Sequence, residues 1–207
     1  MVETVTDGAH RPEVRGNAMN MNRMQRAVVL LTLLDQLKEK GSWCGETHLQ
    51  KATFFLQELA QVPLELDFVL YKHGPYSFDL NDEITALRAD MLLTVKPRAP
   101  YGPSLYTSDG GRTLFERYQQ TLGRYATAIT FVADQLGPSN VSELEKLGTA
   151  LYVLKIIPSA DQETRSKKLQ EFKPHVRPEE AMRAVQDVDK MRTEVAGYLP
   201  VRESLPA

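Results

Sequence analysis

Seven consecutive residues, Tyr71-Lys72-His73-Gly74-Pro75-Tyr76-Ser77, restrict the fold of this chain more than any other stretch. Pro75 has no N–H and biases Gly74 away from the helical region, while Gly74 accepts backbone angles that other residues resist. A turn is therefore expected at Gly74-Pro75. The apolar run over 66–70 leads into it and reads as a strand. Ser77 is placed to cap a helix over about 78–91, with Asp79 in the first turn where the helix dipole favours an anion. Leu80, Ile84, Leu87 and Met91 form the apolar stripe of that helix. On this reading the stretch joins a strand to a helix, with Tyr71 packed against the body of the fold.

The segments on either side suggest helices. Ala27, Leu30, Leu33, Leu34 and Leu37 define one face of a helix over 21–40, stopped by Gly41. Thr47 is a candidate cap for a second helix, 48–61, carrying Ala52, Phe55, Leu56 and Leu59, with Pro63 ending it. After the third helix, residues 92–96 form a short strand candidate, 97–103 a Pro/Gly loop, and 104–106 a returning strand. Three helices followed by two strands is the order of a winged helix, and the strand at 66–71 is expected to pair with the wing. A long fourth helix is expected over 109–136, with a heptad seam of Phe115, Tyr118, Leu122, Tyr125, Ile129, Val132 and Leu136. Asn140 and Glu143 fit a capping box for a helix with Leu144, Leu147, Leu151 and Leu154 on one face. A polar helix over 160–171, a break at Lys173-Pro174-His175, and a last helix starting at Pro178 with Ala181, Val185, Val188 and Val195 inward complete the chain.

The expected fold is thus mainly α with a small antiparallel β-sheet: a winged-helix-like core over 21–108 and a helical C-terminal part over 109–198. Residues 1–20 and 199–207 read as tails. The first 20 residues lack the apolar core of a signal peptide, and the longest apolar run, 27–34, is too short to span a membrane. A single cysteine, Cys44, allows no internal disulfide and no cysteine zinc site. A cytoplasmic setting without a membrane partner fits. The net charge of −2 supplies no overall basic character for nucleic acid.

Leu49-Gln50-Lys51 with Phe54-Phe55, followed by the 71–77 stretch and a helix carrying Leu87, resembles the YwgA-like proteins, which are related to the Panacea (SocA-like) antitoxin domain. The shared pattern is an L-x-K-x-x-F helix, a strand ending in Y-x-Y/H-G-P-x-S, a helix and a small hairpin. The matches are Lys51, Tyr71, Gly74, Pro75 and Ser77, and the resemblance covers residues 24–120. It implies a bacterial or phage origin and a non-catalytic role: an antitoxin-like or phage-defence adaptor that binds a protein partner such as a toxin, a protease or a defence component. The tryptophan-rich C-terminal signature of the Panacea domain is absent from this chain.

The functional reading of the turn has Lys51, Lys72, His73 and Tyr76 on one surface against the partner, with Tyr71, Gly74, Pro75 and Ser77 as the structural motif. The alternative is a winged-helix DNA-binding regulator. Its weakness is the third helix, which sets Asp79, Asp82, Glu83 and Asp90 against a single Arg88, repelling phosphate where a recognition helix needs attraction. The wing offers Lys96, Arg98 and Tyr101. A second basic face, Arg165, Lys167, Lys168 and Arg177, would have to supply the remaining charge. No P-loop, dinucleotide fingerprint, nucleophile elbow or zinc-binding histidine spacing is present. No catalytic residue, metal or cofactor is therefore expected. A hydrolase or nuclease using His73 is a third reading. The heptad seam of the fourth helix serves either the core of its own chain or a homodimer.

Overall fold

The structure is a computed structural model that describes residues 21–199. The expected tail at 1–20 lies outside these residues, as does the tail expected at 199–207 apart from Leu199, which packs against the core. The described chain runs α1 (Arg23–Glu39), α2 (Glu46–Glu58), β1 (Val69–Tyr71), β2 (Gly74–Tyr76), α3 (Phe78–Ala89), β3 (Leu93–Arg98), β4 (Tyr101–Thr107), α4 (Asp109–Arg117), α5 (Gln119–Leu136), α6 (Val141–Ile156), α7 (Gln162–Phe172) and α8 (Pro178–Glu194). A 3-10 turn, Val195–Tyr198, follows. The fold is mainly helical with two separate antiparallel hairpins, β1–β2 and β3–β4. One continuous apolar core runs from Met21 to Val195.

Most helix ends follow from local chemistry. Asn22 and Asn140 each form a reciprocal capping box, with Gln25 and Glu143 respectively. The Ser77 hydroxyl accepts from the Leu80 N–H, so the cap expected for α3 is present. Pro178 opens α8, with Glu179 and Glu180 in its first turn.

Several sequence expectations are corrected. Helix α2 begins at Glu46, not beyond Thr47, because Gly45 is the N-terminal flanking residue and carries no side-chain cap. The Trp43 ring lies so close over Gly45 that a Cβ there would sit 2.3 Å from it. Residues 64–68 do alternate, with Leu64, Leu66 and Phe68 buried and Glu65 and Asp67 exposed, but they pair with no strand. The Gln57 side chain replaces the missing neighbour, accepting from the Leu66 N–H and donating to the Leu66 carbonyl, both at 2.9 Å. The strand that follows, β1, pairs with β2 and not with the wing. The turn lies at Lys72-His73, two residues earlier than expected, and Gly74-Pro75-Tyr76 is itself a strand.

Helix α3 ends at Ala89, so Met91 leaves the apolar stripe, at a positive φ of 57° and largely exposed. The wing is tighter than a 97–103 loop: β3 extends to Arg98, β4 starts at Tyr101, and a register shift lies between Lys96 and Arg98. The long fourth helix is two helices, broken at Tyr118, whose φ and ψ of −119° and 34° leave the helical region. Tyr125, Ile129, Val132 and Leu136 of the seam are buried, and α5 packs on α1 and α2 within the same chain.

Candidate functional site

The β1–β2 hairpin is held against the helices from below. Its register pairs Val69 with Tyr76, Leu70 with Pro75 and Tyr71 with Gly74. Alternation therefore sends Leu70 and Pro75 to one face and Val69, Tyr71, Gly74 and Tyr76 to the other. Pro75 is buried, and packs so closely on α6 that a Cβ at Gly148 would lie 3.1 Å from its ring. Gly74 needs its missing side chain twice over. Its φ is +89°, and a Cβ there would meet Lys51 Cε at 3.3 Å.

Three long polar side chains hold the hairpin backbone. Gln50 accepts from the Ser77 N–H and donates to the Ser77 carbonyl, each at 2.9 Å. Lys51 Nζ donates to the Pro75 carbonyl at 2.8 Å. Lys173, from the break between α7 and α8, donates to the Lys72 carbonyl and to Glu145 Oε1. Glu145 on α6 stands at the centre of these cations. His73 Nδ1 is 3.8 Å and His175 Nε2 3.9 Å from its carboxylate. Burial alone would raise the pKa of Glu145, but the hydrogen bond and charge of Lys173, with His175 and His73 behind it, hold it below the ordinary carboxylate value.

This geometry divides the expected partner surface. Lys72 and His73 are exposed at the turn, and Tyr76 is half-buried. Lys51 is not on the surface. It is 2% exposed, and burial pushes its pKa down to about 8, with Glu145 acting in the opposite direction. The resemblance pointed to Lys51, and the structure makes it a buried strut under the hairpin. Tyr71, expected to be packed, is 60% exposed because it lies on the outward parity of β1.

Sequence reasoning missed Phe78. It is 59% exposed and meets Tyr76 and Tyr71 edge-on, with ring centroids 5.2 and 6.1 Å away. Tyr71 and Tyr76 are 5.9 Å apart. The signal was present: Phe78 is nine residues before Leu87, about 180° around a helix from it and so opposite the apolar stripe. Val69, also exposed, shares the outward face. Around this face stand the exposed carboxylates Glu46, Asp79 and Asp82. Tyr76 Oη donates to Glu46 Oε1 at 3.3 Å, and the Tyr76 pKa is raised, first by desolvation and then by Glu46 and Asp82.

The wing carries a second arrangement. The Arg98 guanidinium lies between Trp43 and Tyr101, 4.8 and 4.9 Å from their ring centres. Lys38 and Lys96 lie over the Tyr106 ring at 3.6 and 4.5 Å. Arg88 of α3 lines the same groove as Arg98 and Tyr101, a hollow of about 580 Å³. The second basic face does not exist as free charge. Arg165 is bound by Asp189, Lys167 by Glu163, Lys168 by Glu171 and Arg177 by Glu180.

Among the described residues no group of three or more His, Cys, Asp or Glu side chains is arranged to hold a metal ion, and no helix is long and apolar enough to cross a membrane. Cys44 is buried and its thiol is pushed up to about 12, chiefly by desolvation, which keeps it protonated. Ser77 is fully buried with its hydroxyl engaged as a helix cap. No protein-family model matches the chain, and no curated protein is found to be similar to it.

Proposed function

We propose that this chain is a non-enzymatic protein-interaction module of the YwgA/Panacea kind, an antitoxin-like or phage-defence-associated adaptor working in the cytoplasm. Its partner, a toxin, a protease or a defence component, docks on the β1–β2 hairpin and the start of α3. The observation that carries this reading is the outward face of Val69, Tyr71, Tyr76 and Phe78: exposed aromatic rings on a backbone that Gln50, Lys51 and Lys173 hold rigid. Rigid aromatic groups on a supported loop are what a docking surface needs, since little side-chain freedom is lost on binding. Lys72, His73 and Tyr76 keep their place in this surface, and Lys51 acts through the backbone it supports. The test is a pull-down of the tagged chain with and without nuclease. A stoichiometric protein partner retained after nuclease, and lost with Tyr71→Ser/Phe78→Ser, is the expected result. Loss of all partners after nuclease would overturn the reading.

A winged-helix DNA-binding regulator is the second reading, favoured by Arg98 held between two rings on the wing with Arg88 in the same groove. Lys96, Arg98 and Tyr101 would then touch the backbone of DNA. This reading requires an affinity that falls steeply with salt and drops further with Arg98→Ala.

A further inference from the structure

We infer that the segment docking on the hairpin face is basic: a stretch of the partner's chain bearing arginine or lysine, its cationic heads lying over Tyr71, Tyr76 and Phe78. The inference rests on the protein-interaction reading above and adds the chemistry of the partner. Three features of the face point the same way. The rings present π-faces and edges to solvent within 5.2 to 6.1 Å of one another, and ring faces attract cations. The carboxylates beside them are of one sign. Asp82 stands one helical turn from Phe78, Asp79 is next to it in the chain, and Glu46 accepts from the Tyr76 hydroxyl. None of Glu46, Asp79 and Asp82 has an ion-pair partner among the described residues, unlike Glu58, Glu145, Glu163, Glu180 and Asp189, which do.

Among the described residues Glu46 and Asp79 accept only from neutral donors, the Tyr76 hydroxyl and the Asp67 N–H, so they keep their charge. Carboxylates without ion pairs around exposed rings repel acidic chains and nucleic acid and attract cationic ones, which sets selectivity and raises the association rate. The cations nearby do not cancel this. Lys51 lies beneath the hairpin with its ammonium on the Pro75 carbonyl, Lys173 is committed to Glu145 and the Lys72 carbonyl, and His73 leans toward Glu145 at the turn. Lys72 is the one exposed lysine of the hairpin itself. The acidic character of α3, which argues against a DNA-recognition helix, is here the feature that selects the ligand.

The probe is an acetylated, amidated octapeptide of alternating Arg and Ala, with alternating Glu and Ala as control, titrated into the full chain and followed by NMR of the aromatic rings. The Arg peptide is expected to shift Tyr71, Tyr76 and Phe78 signals. It should bind about tenfold more weakly to Glu46→Gln/Asp82→Asn and to Tyr71→Ser/Phe78→Ser. All four positions are solvent-facing, so circular dichroism should match the parent. The Glu peptide should shift nothing. Equal response to both peptides, no response, or shifts centred on another face overturns the inference. The pull-down separates the two levels. A nuclease-resistant partner held equally by the parent and by Glu46→Gln/Asp82→Asn sinks the basic-segment inference and leaves the adaptor reading standing. No partner at all sinks the adaptor reading.

Discussion

Lys51 Nζ and the Pro75 carbonyl oxygen meet at 2.8 Å inside the protein, one from the middle of α2 and the other from β2. A buried ammonium beside a carboxylate, Glu145, and a second ammonium, Lys173, is tolerated only while its own contacts persist. Replacing it with Glu would bury a second carboxylate near Glu145 and leave the Pro75 carbonyl without a donor. Lys51→Glu is expected to cost at least about 3 kcal/mol in urea denaturation, whereas Lys51→Met, which fills the same volume without charge, should stay within about 1–2 kcal/mol of the parent. A folded Lys51→Glu protein of parental stability would show that the side chain is free, as a surface role requires.

Acid sensitivity should trace to His48. It is buried, accepts from the Ser42 hydroxyl at Nδ1 and donates from Nε2 to the Leu136 carbonyl, which makes it the neutral Nε2–H tautomer. Burial lowers its pKa to about 4, with the Leu136 carbonyl opposing. Between its ordinary value near 6.5 and about 4, the unfolded chain takes up a proton that the folded chain refuses. Stability should therefore be undiminished by this group above pH 6.5, and fall by on the order of 3 kcal/mol as the pH drops through that window. His48→Gln should lose that part of the slope, whatever its stability at neutral pH. Parallel pH–stability curves for the two proteins would contradict this assignment.

Gly74 is a sensitive point in the hairpin. Gly74→Ala places a side chain at a φ of +89° and against Lys51 Cε, so a loss of about 1–3 kcal/mol is expected. Gly148→Ala should be milder: its Cβ would meet the Pro75 ring at 3.1 Å and Lys51 Cδ at 3.5 Å, but its helical backbone, unlike that of Gly74, suits an alanine. Thermal melts of the two variants check both the size and the order of these effects.

Glu145→Gln tests the cluster of cations around the turn. Lys173 is almost wholly buried and its ammonium sits 2.6 Å from Glu145 Oε1. Removing the negative charge leaves that ammonium with the Lys72 carbonyl alone, and a cost of about 2–4 kcal/mol is expected. Because the Glu145 pKa is lowered in the folded protein, its contribution is complete above its ordinary value near 4.5 and is lost as the pH falls further. Amide exchange at Lys72, His73 and Gly74 should rise in the variant above that pH. Unchanged exchange would detach Glu145 from the hairpin.

Features determined within a few residues were legible in the sequence. The caps at Ser77 and Asn140 and the Pro178 start depend on neighbours three or four positions away. What escaped was set at long range. Helix α2 shows a one-sided stripe in sequence, yet every residue from His48 to Leu56 is buried, because Gln50 and Lys51 find their partners 24 to 27 residues further on. The alternation over 64–68 is that of a strand, but Gln57 takes the place of the neighbouring strand. Nothing at Tyr118 signals a helix end, since the heptad spacing runs straight through it, and the break is visible only where α4 and α5 separate. The pattern Tyr71 to Ser77 marks the hairpin and the cap of α3. Which of its residues face solvent depends on the register, and that follows from a turn at Lys72-His73 and not at Gly74-Pro75.

Lys173 reaches back 101 residues to take the Lys72 carbonyl, and Gly148 supports Pro75 from a helix that begins at Val141. The hairpin is thus an early segment completed by late ones. While the chain is being synthesised, Tyr71, Tyr76 and Phe78 emerge long before the parts that hold them in register, and a chain cut short after Thr107 lacks those parts altogether. A partner of the kind proposed, reading the assembled rings, would engage finished copies and pass over nascent or truncated ones.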